Sequence, residues 1–491
     1  MLSLLSWFTR RKESKLGDYD VYPLSFMEQA GLVYLAVMNF SFYYEDVLDA
    51  DKLHESLARL VQKDDWRKCG GRVRRNAQKH IEIHVPKNFT PSCPSLTFLH
   101  TDFAGSIDKH PVASRLRQRQ TDSPCIYENV EDFIPLSLGQ DSMRAPLLED
   151  YTNSDKPLIT LSVTSFEDAT IVSVTFPHCL VDGMGFAELR EHLVKPVADS
   201  NKHVLESMVA TEAAKKKYVL EDKQLRGLSL VILLARLAWD ALVGVPAEAY
   251  ELHLTSAFIK YLRQKAESEI SNDKVDGKAQ FISDGDIITA WGSQMAFLSA
   301  TSNGSTTIYN VFDLRTRLPA EFVEPDTQYL ENMVLPAATL LAREETKEAS
   351  LGKIALRIRQ SIIEQTPPTQ IPSLLRLTKR WLLGFGTWPA FASWDSNLIL
   401  WTNWTKAKFL ETADFGPAVG DGKGECRPST FWGFPFLPGP KPGNTWIIYG
   451  RDARGNYRLQ SALREPTVQR IKQDFAEFEK YSNSQLGVGA K

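Results

Sequence analysis

The sequence predicts a mixed α/β (α+β) protein of two domains, each with a mixed sheet flanked by helices. Segments rich in β-branched and aromatic residues alternate along the chain with segments of helical apolar spacing. With 43% hydrophobic and 24% charged residues, the composition is that of a globular protein. The 491 residues also exceed a single domain of roughly 100–200 residues, so two or three packed units are expected.

Changes in composition and in apolar spacing along the chain divide it into four segments. We predict an N-terminal tail at residues 1–20, a first domain at 21–195, a crossover segment at 196–280 and a second domain at 281–491. The crossover contains the longest apolar run, Leu228 to Val245, which includes Arg236 and Asp240. Because two charges are costly in the middle of a lipid-spanning helix, we interpret this run as a helix buried on one face and not as a transmembrane span.

The elements of the first domain follow from the spacing of its apolar residues. A strand is predicted at 34–44 and a helix at 53–61. The clearest hairpin joins the strand-like runs 158–164 and 170–176, and a helical pattern follows at 184–193. In the second domain we predict a helix at 282–299 opened by Ser283 or Asp284, strands at 308–314, 398–404 and 445–449, and a final amphipathic helix at 465–481.

Charge and cysteine content exclude several classes of protein. The 57 basic and 60 acidic residues give a net charge of −3, so nothing drives nucleic-acid binding. Five scattered cysteines without a CxxC pair, and nine histidines without ligand spacing, predict neither a disulfide scaffold nor a metal site. Residues 1–12 are apolar first and basic second, the reverse of a secretory signal. We interpret them as a frayed tail, with a short interfacial anchor as the alternative, and expect a cytoplasmic protein.

One histidine stands in a position suited to acid–base chemistry. The second strand of the hairpin ends in the sequence PHCLVDG at 177–183, so His178 lies in a tight corner between a strand and a helix. An imidazole with a pKa near its usual ~6.5 is neutral often enough to accept a proton at neutral pH. The corner therefore indicates a general base, although an HxxxDG pattern by itself also arises in structural turns.

Several further motifs occur in a fixed order along the chain. They are PLS at 23–25 with Gln29, GGRV at 70–73, FDLRTRLP at 312–319, YLEN at 329–332, TNW at 402–404 and DFG at 414–416. Together with HCLVDG at 178–183, they resemble the BAHD-type acyl-CoA-dependent acyltransferases, above all the fungal branch of this chloramphenicol-acetyltransferase-like group. Pro417 and Ala418 depart from the family's DFGWG motif, so the conformation of that loop is open. The lack of a second histidine before His178 speaks against a peptide-forming condensation domain.

The resemblance implies a fold and a reaction. It implies two chloramphenicol-acetyltransferase-like domains with a solvent channel between them, the first carrying HxxxDG and the second DFG. His178 would remove the proton of an acceptor hydroxyl as its oxygen attacks the thioester of acyl-CoA. No acyl-enzyme is needed, so Cys179 is expected to be a small buried residue and not a nucleophile.

Roles for the other motif residues are likewise implied by the resemblance. Asp182 would pair with Arg315, with Arg317 as the second candidate, and shape the corner together with Gly183. Asp414 and Gly416 would also be structural. Thr402 and Trp404 would be hydrogen-bond donors to the oxyanion, although an aromatic strand that packs the core is the alternative.

The function expected from the resemblance is that of an O-acyltransferase that acetylates a hydroxyl of an apolar specialised metabolite such as a terpenoid or polyketide. The partners are acetyl-CoA as co-substrate and a small alcohol; no bound cofactor, metal or second subunit is expected. An N-acyltransferase, a longer acyl donor and a non-catalytic binding module stay open as alternatives. The aromatic segments 380–404 and 431–436 either line the acceptor side or pack the core. The residues that would bind the phosphates of CoA are not identified.

Overall fold

The computed structural model describes residues 18–119, 121–139, 144–190, 197–198, 200–271, 280–300, 304–324, 327–420 and 424–485. The strands in these ranges are β1 (Tyr19–Pro23), β2 (Val37–Tyr44), β3 (Arg72–Arg75), β4 (Ile81–Pro86), β5 (Thr97–Asp102), β6 (Cys125–Tyr127), β7 (Thr160–Phe166), β8 (Ala169–Pro177), β9 (Glu248–Leu254), β10 (Thr306–Asp313), β11 (Val334–Leu341), β12 (Asn397–Asn403), β13 (Thr430–Phe436), β14 (Thr445–Arg451) and β15 (Tyr457–Leu463).

The α-helices of the same ranges connect and flank these strands. They are α1 (Gly31–Leu35), α2 (Ala50–Leu60), α3 (Ile134–Leu138), α4 (Leu148–Thr152), α5 (Gly183–Arg190), α6 (Lys202–Ala210), α7 (Glu212–Lys215), α8 (Gly227–Val243), α9 (Ser256–Glu269), α10 (Asp284–Leu298), α11 (Arg343–Glu348), α12 (Leu351–Gln365), α13 (Ile371–Phe385), α14 (Phe409–Thr412) and α15 (Glu465–Gln485).

Three sheets organise the described chain. A five-stranded sheet has the order β13-β2-β8-β7-β5, a seven-stranded sheet the order β11-β10-β12-β14-β15-β9-β6, and a small sheet the order β1-β4-β3. Both large sheets are mixed, since β5 runs parallel to β7 and β12 runs parallel to β10 and β14. The predicted mixed α/β class is therefore confirmed.

Most predicted elements exist with small shifts of their ends. The hairpin is β7 and β8, and its two-residue turn is Glu167 and Asp168. Helix α10 begins after Ser283, which accepts from the backbone of Asp286 in a capping box. The predicted strand at 34–44 divides into α1 and β2. Residues 1–17 of the predicted tail and 191–193 of the helix predicted at 184–193 lie outside the described residues.

Strand exchange crosses the predicted domain boundaries. Strand β13 comes from the second predicted domain, yet it pairs with β2 along its whole length. Strand β9 comes from the predicted crossover and pairs with β15, and β6 pairs with β9 at the end of the same sheet. The exchange supplies partners for backbone edges that would otherwise be open. The predicted boundaries therefore describe consecutive segments of the chain and do not correspond one to one with the sheets. Strand β13 of the second range completes the five-stranded sheet, and β6 of the first range lies at the end of the seven-stranded sheet. The division into four ranges stays a prediction.

Helix α8 differs from the prediction in its burial. It was expected to bury one apolar face, but Leu233 is its only buried residue, while Leu228, Trp239 and Leu242 are 74%, 67% and 82% exposed. The prediction of burial was therefore wrong, because apolar spacing does not reveal which face contacts the protein. Among the described residues, no helix combines the length and apolar character needed to cross a bilayer.

Candidate active site

The site is built around the corner at the end of β8. This strand lies between β2 and β7 in the five-stranded sheet. Directly after it, the backbone N–H of His178 donates to the carbonyl of Ala36 at 2.9 Å, and Leu180 N–H donates to Pro177 at 3.0 Å. Helix α5 then begins at Gly183. The His178 backbone is thus held between a central strand and a helix start.

Two glycines allow other segments to approach this corner closely. A Cβ on Gly183 would lie 2.8 Å from two atoms of the Trp404 indole. A Cβ on Gly185 would lie 2.0 Å from the carbonyl oxygen of Leu330. A Cβ at either position would force one of these neighbours to move, so the close packing of the corner depends on glycine.

The two carboxylate oxygens of Asp182 connect the corner to the second half of the chain and to the start of α5. Its Oδ2 accepts from Arg315 Nη1 at 3.0 Å and from the backbone N–H of Met333 at 3.1 Å. Its Oδ1 accepts from the backbone N–H of Gly185 at 2.8 Å. Arg315 also donates to Asp313 at 2.9 Å. Asp182 is therefore tied to the Arg315 that the resemblance implied, and the pair ties the corner to the end of β10.

Arg317, the second candidate for this pair, lies elsewhere. Its Nη1 donates to Thr366 at 2.6 Å, and its guanidinium lies 5.3 Å from the ring centroid of Phe312. The chain turns directly after β10, where the Arg317 backbone N–H donates to the carbonyl of Leu314 at 2.8 Å. The two arginines therefore reach different partners, although only one residue lies between them.

A buried polar cluster behind the histidine was not predicted in full. Asn332, which belongs to the YLEN motif, donates from its side chain to the carbonyl of His178 at 2.9 Å. Its backbone N–H donates to Glu28 Oε1 at 3.1 Å, and Ser25 donates to the other oxygen of Glu28 at 2.5 Å. Burial, and secondarily the charge of Glu331, raise the pKa of Glu28.

The buried charges of this cluster are balanced by one lysine. Lys68 and Glu331 are 3.2 Å apart, and both side chains are almost completely buried. Glu331 also accepts from the backbone N–H of Asn201 at 2.6 Å. The only sequence signal for this cluster is proximity to motifs: Lys68 precedes GGRV, Glu28 lies between PLS and Gln29, and Glu331 lies inside YLEN.

His178 combines a desolvated ring with access to a cavity. Burial lowers the pKa of its imidazole below the usual 6.5, while the Asp182 charge and the nearby carbonyls of His178 and Val181 act in the opposite direction. Its Nδ1 is buried and has no hydrogen-bond partner in the described part of the chain. By contrast, burial raises the pKa of the neighbouring Cys179 thiol, which keeps it protonated.

The cavity next to His178 has a volume of about 950 Å³ and lies between the two large sheets. Its wall includes Asp182, Gly183, Thr402 and Trp404 of the predicted site. Arg315 is absent from the wall and acts from behind the corner. Apolar side chains from both halves line much of the rest, among them Met38, Ile134, Leu147, Trp388, Phe434 and Phe436.

Thr402 and Trp404 lie at the end of β12. The Trp404 backbone N–H donates to the carbonyl of Ile448 at 2.8 Å. Its indole packs against Phe40 and Tyr449, with ring centroids 5.3 and 5.8 Å away. Trp404 thus belongs both to an aromatic core and to the cavity wall, while Thr402 is partly exposed on that wall.

Asp414 and Gly416 lie outside the cavity wall. Asp414 Oδ1 accepts from the backbone N–H groups of Gly416 and Cys426 at 2.9 and 2.8 Å. A Cβ on Gly416 would lie 2.0 Å from the carbonyl oxygen of Gly424. These contacts close the loop despite the missing Trp of the family motif, and Phe415 stacks on Tyr44 with ring centroids 5.3 Å apart.

The two aromatic segments divide between core and cavity. Trp388, Phe434 and Phe436 line the cavity, whereas Trp381 and Trp432 are buried away from it. Both interpretations offered for these segments therefore apply, each to part of the residues.

The chain is similar to fungal acetyltransferases over nearly its whole length. It is 36% identical to the acetyltransferase BOT5 of Botryotinia fuckeliana, over 94% of this chain and 91% of that protein. It is 33% identical to the O-acetyltransferase PaAT-2 of Phomopsis amygdali, over 89% of this chain and 94% of that protein. No family model matches the chain.

Solved structures of low sequence identity share the fold. F. graminearum TRI101, complexed with coenzyme A and T-2 mycotoxin, matches with a TM-score of 0.65 at 15% identity, over 93% of this chain and 98% of that chain. Vinorine synthase matches with a TM-score of 0.52 at 13% identity, over 94% of this chain and 92% of that chain. The predicted chloramphenicol-acetyltransferase-like fold is confirmed.

Sequence relatives and fold agree on one class of enzyme, the acyltransferases. Within that class, the chain belongs to the fungal branch of the BAHD-type family, as the order of its motifs indicated, and it is an O-acyltransferase.

Proposed function

We propose that this enzyme transfers an acetyl group from acetyl-CoA to a hydroxyl of a large apolar metabolite, such as a terpenoid or polyketide. The observation that supports this most directly is a partly buried histidine with a lowered pKa at the wall of a largely apolar cavity of about 950 Å³. A cavity of this size accommodates a drug-sized ligand. The named acetyltransferase relatives agree with the donor.

His178 would act as the general base. Since Nδ1 is buried, Nε2 is the ring nitrogen left for the substrate, and the lowered pKa keeps it unprotonated at neutral pH. Nε2 takes the hydroxyl proton as the acceptor oxygen forms a bond to the thioester carbonyl carbon. The tetrahedral intermediate then breaks its C–S bond, and the imidazolium returns the proton to the CoA thiolate.

The oxyanion of that intermediate would be stabilised from the end of β12. Thr402 carries a hydroxyl and Trp404 an indole N–H at the same cavity wall as His178. The indole is held in place by its contact over Gly183 and by its aromatic neighbours. A donor that is fixed before the reaction costs no reorganisation in the transition state.

The phosphates of CoA would require cations at the cavity wall. Arg359 and Lys441 line the cavity but are paired with Asp286 and Glu131. Arg317 and Lys406 also line it, and neither makes an ion pair with a carboxylate of the described residues. Burial lowers the pKa of Arg317, so an anion near its guanidinium would compensate its desolvation. We therefore assign these two residues to the donor.

An assay of the purified full chain with acetyl-CoA and a panel of apolar alcohols tests the proposal. Mass spectrometry should detect products in which one acetyl group replaces hydrogen, and His178→Ala should reduce the rate by at least about 10²-fold. The melting temperature of the variant should stay that of the wild type. A wild type that acetylates no alcohol of the panel, or a His178→Ala variant that keeps the wild-type rate, would contradict the proposal.

A further inference from the structure

A surface helix usually turns its apolar face to the protein and its polar face to solvent, and helix α8 does the opposite. At about 100° per residue, Ser229, Leu233, Arg236 and Asp240 fall within about 60° of one another on one side. This is the side that contacts the protein: Arg236 donates to the carbonyl of Trp394 at 2.9 Å, and Asp240 accepts from Arg464 at 2.9 Å. The two charged residues of the helix, Arg236 and Asp240, therefore attach it to the rest of the protein.

The apolar residues of α8 occupy the rest of its surface. Leu228, Val231, Trp239 and Leu242 are between 59% and 82% exposed, and Leu234 and Leu237 are also exposed. Together these side chains span about 200°, more than half of the helix circumference. Contiguous exposed apolar surface of this kind marks a binding site for a protein or a lipid.

We propose that α8 docks this enzyme on the surface of a phospholipid bilayer. A helix that packs against a protein typically presents an apolar stripe of roughly 100°. The exposed apolar arc of α8 is about twice as wide, which fits the more extended contact of a bilayer boundary. The 17 residues of α8 are about 25 Å long, less than the ~30 Å of the hydrocarbon layer, so the helix lies along the membrane. Amphipathic helices in this orientation bury their apolar side at the boundary of headgroups and acyl chains.

The surroundings of α8 fit the chemistry of that boundary. Trp239 on the helix and Trp394 in the adjoining loop are 67% and 50% exposed, and indole side chains favour the headgroup level. Lys223 and Arg226, directly before the helix, are exposed, while the adjacent Glu221 and Asp222 are paired with Arg376 and Lys217. The two cations can therefore face anionic headgroups. The proposed membrane docking is independent of the proposed acyl transfer, since vesicle binding can be measured in the absence of acetyl-CoA and of an acceptor.

Co-sedimentation of the full chain with vesicles tests this proposal. The probe is phosphatidylcholine with a minor fraction of phosphatidylserine, and the wild type should pellet with it. The combined variant Leu228→Gln, Val231→Gln, Trp239→Gln and Leu242→Gln should partition about 100-fold less, since four large apolar side chains no longer enter the lipid. Ile363→Gln is the matched control, because Ile363 is 65% exposed on α12 and should leave binding unchanged.

The melting temperature and acyl transfer of the combined variant should match the wild type, because all four side chains are exposed. Quenching by brominated lipids gives a second readout: the wild type should lose more fluorescence than Trp239→Phe. Failure of the wild type to pellet, or equal pelleting of the combined variant, would overturn the proposal. So would a lipid-free dimer that the combined variant dissociates, or vesicle binding lost on deletion of residues 1–17 but retained in the combined variant.

Discussion

The side-chain amide of Asn332 donates a hydrogen bond of 2.9 Å to the main-chain carbonyl of His178. Asn332 is itself held by Glu28, which accepts from its backbone N–H. The backbone of the proposed base is thus fixed from a loop 154 residues further along the chain. This contact connects the corner after β8 with the loop before β11, and it explains why two widely separated motifs occur together.

Asn332→Ala should reduce kcat clearly and lower the free energy of unfolding only modestly. The substitution leaves a partly buried carbonyl without its donor, which costs about 1 kcal/mol of the free energy of unfolding. Because the affected carbonyl belongs to His178, kcat should fall while the KM for both substrates changes little. Kinetics and thermal unfolding of the purified variant measure both effects. A raised KM with normal kcat would contradict a positioning role.

Asp182→Ala should destabilise the fold, unlike His178→Ala. Removing one partner of a buried ion pair costs about 3–5 kcal/mol, and Asp182 is only 4% exposed. We expect a lower melting temperature and lower soluble yield together with a lower rate. Thermal unfolding of the two variants side by side decides the matter. Equal melting temperatures would mean that Asp182 does not support the corner in the way described.

Gly183→Ala should reduce the rate because a Cβ at this position would contact the Trp404 indole at 2.8 Å. Either the indole or the helix start must move, and both lie at the cavity wall. Gly384→Ala is the matched control: it lies in α13 with no atom within 4 Å of the added Cβ. That control should stabilise the protein by about 0.5–1 kcal/mol through helix propensity and leave kcat unchanged. Full activity of Gly183→Ala would show that the indole can relax without consequence.

Thr402→Val and Trp404→Phe distinguish the proposed oxyanion donor from a packing residue. Loss of the true donor should lower kcat by about 10²–10³-fold, since such a donor acts mainly in the transition state. Thr402→Val keeps the shape of the side chain, so its melting temperature should change little. Trp404→Phe should also lower the melting temperature, because the ring packs in an aromatic core. If neither variant lowers kcat, the oxyanion is stabilised elsewhere.

The pH dependence of the reaction should reflect the environment of His178. The unprotonated imidazole is the active form, and burial lowers its pKa below 6.5. Activity should therefore persist as the pH falls to 6.5 and be lost only at a lower pH. The acid limb of a kcat/KM profile measures this pKa in the free enzyme. An acid limb above 6.5 would mean that the imidazole is not desolvated, or that another group controls the rate.

Local patterns were sufficient to predict most secondary structure. The alternation of β-branched residues predicted the β7–β8 hairpin, and the capping residue Ser283 predicted the start of α10, because both signals act over a few residues. The order of the motifs likewise indicated the family. Burial was predicted less well, since the apolar run of α8 has helical spacing but faces away from the protein.

The amino-acid sequence by itself therefore determined the elements, the strand-to-helix corner with His178, and the order of the motifs along the chain. Only the tertiary structure decided that β13 completes the sheet of β2, that Glu28 reaches Asn332, and that both Thr402 and His178 face one cavity. The physical reason is range. Propensity and periodicity depend on neighbouring residues, whereas these contacts join segments more than 100 residues apart and depend on how the two large sheets pack.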